Sequence, residues 1–225
     1  MSRLLALDLD GTVLDHDGTV PAGHARVIAE VLAAGVQVAL VTGRPLNTTR
    51  WVHEALKLRT PVVCFNGGWV GRVDGCALAA CVLEEAEVRE VVAALADAGG
   101  VICCYPQADV WLVDGETPRT AHWRTFYATQ ITVDHRRIHA WRGSSCKVMF
   151  VAEPERVAVV AARLAAQFHG RLHVVLSQSD RFEISRVGVT KEWGLSRLAA
   201  QLGVAREQVW AVGDAANDLE MIAWA

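Results

Sequence analysis

Leu4-Leu5-Ala6-Leu7-Asp8-Leu9-Asp10-Gly11-Thr12 decides how this chain is read. Residues 3–9 alternate and then saturate with Leu and Ala, the pattern of a buried strand, and the run breaks into two carboxylates and a glycine. Parallel sheets gather ligands outside the C-terminal ends of their strands, so Asp8 and Asp10 stand where such sheets do chemistry. Two residues apart, they share a face if the strand persists, and Gly11 lets the backbone turn tightly beside them. One carboxylate can then attack while the other moves a proton. Taken alone, Asp-Gly-Thr also serves as a turn or a helix N-cap.

Working outward, residues 24–34 place apolar side chains at helical spacing before Gly35, 36–41 reads as a second buried strand, 46–56 as a helix and 61–65 as a short strand. This β-α-β-α-β rhythm implies a parallel sheet with right-handed crossovers. Residues 69–73 and 77–83 flank Asp74-Gly75 as a hairpin, and 84–98 forms an amphipathic helix ending at Gly99-Gly100. Short strands follow at 101–105, 110–113, 146–152, 172–176 and 182–184, with an Ala-rich helix at 154–168. The first rhythm returns with a helix at 191–202, a strand at 209–212 and a helix at 217–223. The predicted fold is α/β: a Rossmann-like parallel-sheet core formed by residues 1–82 and 187–225, interrupted by an α+β cap domain at 83–186.

Composition narrows the function classes. The 225 residues suffice for a buried core without disulfides, and no apolar run approaches the roughly eighteen residues of a membrane helix. The apolar stretch after Met1-Ser2-Arg3 is short and ends acidic, unlike a signal peptide, so a soluble, cytoplasmic protein is expected. Cys64, Cys76, Cys81, Cys103, Cys104 and Cys146 are scattered without a C-x-x-C pair or a neighbouring His pattern, and read as reduced, mostly buried thiols rather than zinc ligands. A net charge of −3 argues against a nucleic-acid partner. A pocket for a small anion needs only a few cations and stays open.

Three further stretches carry candidate chemistry. Thr42-Gly43-Arg44-Pro45 ends the second strand, where a hydroxyl, a glycine amide and a helix N-terminus can converge on a phosphoryl oxygen; an ordinary capped β-α loop has the same composition. Lys191 opens a helix after Val187-Gly188-Val189-Thr190 and could face a phosphoryl group or a nucleophilic carboxylate, although most lysines at helix starts are solvated. Gly213-Asp214-Ala215-Ala216-Asn217-Asp218 follows the last strand with hard oxygen ligands suited to Mg²⁺, and Asn217 or Asp218 also suits a helix cap. Four such loops, each just after a strand or at a helix entry, are ordered so that one parallel sheet can bring them together.

Together these segments resemble the four motifs of the haloacid-dehalogenase-like superfamily. Phe182-Glu183-Ile184, Gly188-Val189-Thr190-Lys191 and Asn66-Gly67 resemble its Cof-type phosphatase branch, which carries a type IIB cap. The resemblance spans essentially the whole chain. It implies a Mg²⁺-dependent phosphatase acting on small phosphomonoesters, with Asp8 as nucleophile and Asp10 as general acid and base. It further implies Mg²⁺ held by the Asp8 carboxylate, the Asp10 carbonyl and Asp214, supported by Asp218, and phosphate held by Leu9, Thr42, Gly43, Lys191 and Asn217. Related alternatives are a phosphosugar mutase and an inactive phosphate-binding or regulatory protein. The expected partner is a small phosphorylated metabolite, with neither nucleic acid nor membrane.

The resemblance is imperfect at two places. Glu192 follows Lys191 where the family has glycine, and Cof-type chains continue beyond Met221-Ile222-Ala223-Trp224-Ala225 into another strand and helix. Apolar surface around residues 209–212 and on Leu219, Met221 and Ile222 is therefore expected to lack partners, giving self-association or a mobile end. The run His135-Arg136-Arg137-Ile138-His139-Ala140-Trp141-Arg142 invites a substrate-anion role but reads first as a solvated connection between elements, and Trp111, Trp123 and Trp141 could stack on a sugar or ring but read first as core.

Overall fold

The apolar run at the N-terminus forms β1 (Leu4–Leu7), the middle strand of three parallel strands. Its neighbours are β2 (Gln37–Leu40) and β12 (Val209–Val212), in a register that sets Leu4 beside Gln37 and Val209 and Leu7 beside Leu40 and Val212. Helix α1 (Ala22–Ala33) makes the crossover from β1 to β2, and α2 (Leu46–Ala55) leads on to β3 (Val62–Cys64). β3 meets the parallel sheet through a single bridge, Val41 to Val63, and otherwise pairs antiparallel with β4 (Trp69–Gly71), which pairs with β5 (Ala77–Ala80). The parallel run is thus shorter than the β-α-β-α-β pattern implies. Beyond that bridge the chain turns, with the Arg44 amide on Thr42 Oγ1 at 3.1 Å, and residues 42–44 stay tied to 63–66 by irregular backbone bonds rather than a ladder.

The computed structural model describes residues 2–225, and its contacts divide the chain into two compact units. One comprises the chain up to Ala80 together with Gly188–Ala225; the other is Cys81–Val187. In the first, α7 (Lys191–Gln201) and α8 (Leu219–Trp224) bring Leu195, Leu198 and Met221 against Leu4, Ala6, Ala39, Val41, Val63 and Val70. Thr190 starts α7 by accepting the Trp193 amide on its side chain at 3.1 Å, satisfying one of the amides a helix start leaves unpaired. Met221 is fully buried, contrary to the expectation of an unpartnered face, because α8 turns it toward α7; Trp210, Val212, Leu219 and Ile222 are exposed as expected. Arg206 donates from Nε to the Trp224 carbonyl and from Nη2 to the Ala223 carbonyl, capping the end of α8.

The second unit is a six-stranded sheet ordered β10-β11-β9-β6-β7-β8, all antiparallel except the last pair. Its strands are β6 (Val101–Gln107), β7 (Val110–Val113), β8 (Ile131–Val133), β9 (Val148–Val151), β10 (Leu172–Gln178) and β11 (Arg181–Arg186). Helices α3 (Glu85–Leu95) and α6 (Pro154–Gln167) press Val88, Val91, Val157 and Leu164 onto Ile102, Val148, Phe150 and Phe182. Trp141 joins this core, and Trp111 and Trp123 are buried against each other with ring centroids 5.2 Å apart, as the sequence suggests.

Helix α4 (Pro118–Phe126), β8 and the short α5 (His135–His139) were not expected from the sequence. The basic run is therefore a helical turn rather than a plain connection: Asp134 accepts the Arg137 amide at 2.9 Å, and Ile138 is buried while the charges around it stay outside. All six cysteines are free, with Cys64, Cys103, Cys104 and Cys146 buried. No helix of the described residues is long and apolar enough to cross a membrane.

Candidate active site at the carboxyl ends of the core strands

β1 releases Asp8 one residue past its last pair, with the Asp8 amide donating to the Val212 carbonyl at 2.9 Å. Its carboxylate is buried, and Lys191 Nζ donates to Asp8 Oδ1 at 2.5 Å and to Asp218 Oδ1 at 2.6 Å. Lys191, at the first position of α7, is itself only 1% exposed, which disposes of the solvated-surface alternative. Burial pushes the Asp8 carboxyl from 3.8 up to about 6, while the Lys191 ammonium and the Leu9 amide pull it down.

Asp218 is fully buried and fully used. Its Oδ1 takes Lys191, and its Oδ2 accepts the Asp214 and Ala215 amides at 3.2 and 3.0 Å. The same side chain thus caps the turn at 215–218 and holds Lys191. Asp214 is exposed, and its Oδ1 accepts the Thr12 hydroxyl at 3.1 Å. Gly11 has φ +84°, and a Cβ there would lie 2.4 Å from Asp214 Oδ2, so glycine both makes the turn and lets the two loops meet.

One carboxylate oxygen from each of Asp8, Asp214 and Asp218 lies within 4.8 Å of the others. Three carboxylates facing one ammonium leave uncompensated negative charge, and the donors are all oxygen, so the cluster fits a hard divalent cation. With both oxygens of Asp218 already bonded, that residue fits a bracing role behind Asp8 and Asp214.

Asp10 is arranged differently from the strand-based expectation. β1 stops at Leu7, the Gly11 turn follows, and alternation does not carry to Asp10. Its side chain is 58% exposed and lies in the fork of the buried Arg44, with Nε to Oδ2 at 2.9 Å and Nη2 to Oδ1 at 2.5 Å. Arg44 is quoted in the second motif but given no role by the sequence; only the fold shows it facing a carboxylate.

Thr42 is buried. Its amide donates to the Val63 carbonyl at 2.9 Å, and its carbonyl accepts the Asn66 amide at 3.0 Å. Gly43 lies against the side chain of Asn66, whose Oδ1 accepts Asn217 Nδ2 at 3.0 Å. Leu9 is buried, with its amide toward Asp8 and its carbonyl accepting Val13 and Leu14 at 3.1 and 2.8 Å. The sequence-predicted site residues therefore sit on the loops and helix starts that follow β1, β2 and β12, with Lys191 at the start of α7. Thr12, Arg44 and Asn66 are additions that sequence reasoning missed, and Asn66-Gly67, noted for its wording, was the available signal.

Residues 5–225 match the family described as haloacid dehalogenase-like hydrolase. An HMP-PP phosphatase of Cronobacter sakazakii is 27% identical over 100% of this chain and 82% of its own length. A 5-amino-6-(5-phospho-D-ribitylamino)uracil phosphatase of Bacillus subtilis is 28% identical over 99% of this chain and 83% of its own. Among solved structures, a haloacid dehalogenase-like hydrolase from Bacteroides thetaiotaomicron superposes with a TM-score of 0.90 at 21% identity, covering 100% of this chain and 86% of that one. With its buried carboxylate, buried lysine and acidic loop all at the mouth of the same parallel sheet, the chain belongs to the haloacid dehalogenase-like hydrolases, in their Cof-type branch.

Proposed function

We propose that the chain hydrolyses small phosphomonoesters by passing the phosphoryl group through Asp8, and that it does so with Mg²⁺. The observation that carries this reading is the buried Asp8 carboxylate, paired to Lys191 and flanked by Asp214 and Asp218 at the strand ends. An Asp8 oxygen attacks phosphorus, the bond from phosphorus to the leaving oxygen breaks, and Asp10 gives that oxygen its proton. Water then attacks the acyl phosphate, Asp10 takes the water's proton, and inorganic phosphate leaves with the Asp8 carboxylate restored. Asp10 has to turn out of the Arg44 fork to serve both steps, and its exposure leaves it room to do so.

The phosphate would rest on Lys191, the Leu9 and Gly43 amides, Thr42 and Asn217. Asp8, Asp214 and the Asp10 carbonyl would hold Mg²⁺, with Asp218 braced behind them. A cation there supplies the charge that lets a carboxylate approach a phosphate dianion.

Phosphate release from a panel of phosphomonoesters tests this, starting with phosphorylated pyrimidines and polyols of the sort named for the two relatives. Asp8→Asn should lower turnover by on the order of a thousandfold or more, and chelator should silence the wild type until Mg²⁺ is returned. Beryllium fluoride with Mg²⁺ should raise the melting temperature of the wild type and leave Asp8→Ala unmoved. An Asp8→Asn variant with wild-type turnover, or full activity in chelator, would refute the reading.

A further inference from the structure

Phe65, Asn66 and Gly67 follow β3 with φ values of 54°, 54° and 102°, three left-handed residues in succession. Two of them carry side chains, at a cost of roughly 1–2 kcal/mol each, so the turn persists because its surroundings hold it. The Phe65 amide donates to the Arg44 carbonyl at 3.2 Å and the Asn66 amide to the Thr42 carbonyl at 3.0 Å. On its other side Gly67 is pressed onto the start of α7: a Cβ there would fall 1.8 Å from the Thr190 carbonyl oxygen, next to Lys191.

From this wedged turn the Asn66 side chain reaches two loops at once. Its Oδ1 accepts Asn217 Nδ2 at 3.0 Å, and a Cβ added to Gly43 would lie 2.9 Å from that oxygen and 3.2 Å from Asn66 Nδ2. Asn217 is exposed, on a single turn of 3₁₀ helix, and this is the one hydrogen bond its side chain makes among the described residues. Among the described residues no other hydrogen bond fixes where its amide points. Asparagine suits the position twice over, tolerating left-handed backbone and supplying the acceptor.

We infer that Asn66 is a positioning residue of the phosphate site: it aims Asn217 and seats the Gly43 loop, so that groups from opposite ends of the sequence present one surface to the phosphoryl oxygens. This role rests on the phosphatase reading above and extends it to a residue that contacts no reacting atom.

The test is a double-mutant cycle with Asn66→Gly, which keeps the left-handed backbone and removes the acceptor, and Asn217→Ala. The readouts are inhibition by inorganic phosphate, KM and kcat separately, and melting temperature. Asn66→Gly should weaken phosphate binding and raise KM about five- to tenfold with the melting temperature nearly unchanged, the scale of one hydrogen bond. Because Asn66 also seats the Gly43 loop, the double variant should lose more than Asn217→Ala alone but less than the two single losses multiplied. Unchanged phosphate affinity in Asn66→Gly, multiplying effects in the double variant, or loss of fold in Asn66→Gly would overturn the role while leaving an active wild type. A wild type that neither binds phosphate nor releases it from any ester would overturn this role and the phosphatase reading together.

Discussion

Replacing Lys191 by methionine removes a buried ammonium and keeps most of the side-chain volume. It strands two carboxylates, since Asp8 and Asp218 receive Lys191 Nζ at 2.5 and 2.6 Å and both are buried. Their facing oxygens lie within 4.8 Å of each other, and two unit charges at that spacing repel by about 3 to 4 kcal/mol at an effective dielectric constant of about 20. Breaking a buried ion pair from one side costs about 3 to 5 kcal/mol, so the two routes to the magnitude agree. Urea unfolding followed by tryptophan fluorescence, in chelator at pH 8, should show that loss. Burial holds the Asp8 carboxyl at about 6 with the lysine present, and removing the ammonium that pulls it down raises it further, so proton uptake by Asp8 sets the upper limit on the loss. Its folded value lies above 3.8, so its contribution to stability falls as pH rises from about 4 to about 6, and the deficit of the variant should shrink in acid. Adding Asp218→Asn should restore most of the stability, and millimolar Mg²⁺ part of it. A loss below about 1 kcal/mol, or no recovery with Asp218→Asn, would refute the account of Lys191 as the charge that keeps this cluster folded.

Gly67→Ala should cost about 3 kcal/mol or more in urea, because it combines a left-handed backbone with a Cβ 1.8 Å from Thr190 O, whereas Gly35→Ala, also left-handed but in open space, should cost only about 1 to 2 kcal/mol. Arg206→Ala should uncap α8, costing about 0.5 to 1 kcal/mol and speeding hydrogen exchange at the end of that helix more than in α7. Burial pushes the Cys103 and Cys146 thiols up to about 12 and Cys104 well above its usual value, so iodoacetamide at pH 8 should label the exposed Cys76 in the native protein and leave those three untouched; mass spectrometry of a labelled digest decides it.

The elements that could be read from the sequence are those whose burial leaves a period. Leu4–Leu7 and Val209–Val212 sit between turn residues, and α6 repeats Val157, Val160, Ala161 and Leu164 at helical spacing. α4 buries only Thr120 and Trp123, β8 only Ile131 and α5 only Ile138, so none of them writes a stripe long enough to be recognised. Thr117-Pro118 was the legible trace of α4, since Thr117 accepts the Thr120 amide at 3.1 Å and proline occupies the first turn. In the site, Asp8 and Asp214 announce themselves by following strands. Arg44 and Asn66 do not, because one acts on a carboxylate and the other on an amide that only the folded sheet brings near.

The register of β1 between β2 and β12 also orders events in time during synthesis. Asp8 leaves the ribosome early, but the strand that flanks it, Val209–Val212, and the carboxylates of Asp214 and Asp218 emerge much later. Cys81–Val187 has its own sheet and core and can fold in the interval, bringing the two ends of a long loop nearer and lowering the entropy of closing it. Until then Lys191 has only Asp8 of its two carboxylate partners, and β1 has only β2 of its two neighbouring strands. The second neighbour of β1 and the acidic loop of the candidate site therefore arrive together in one late step, and a chain stalled before residue 209 carries the insert beside an unpaired, aggregation-prone β1 edge.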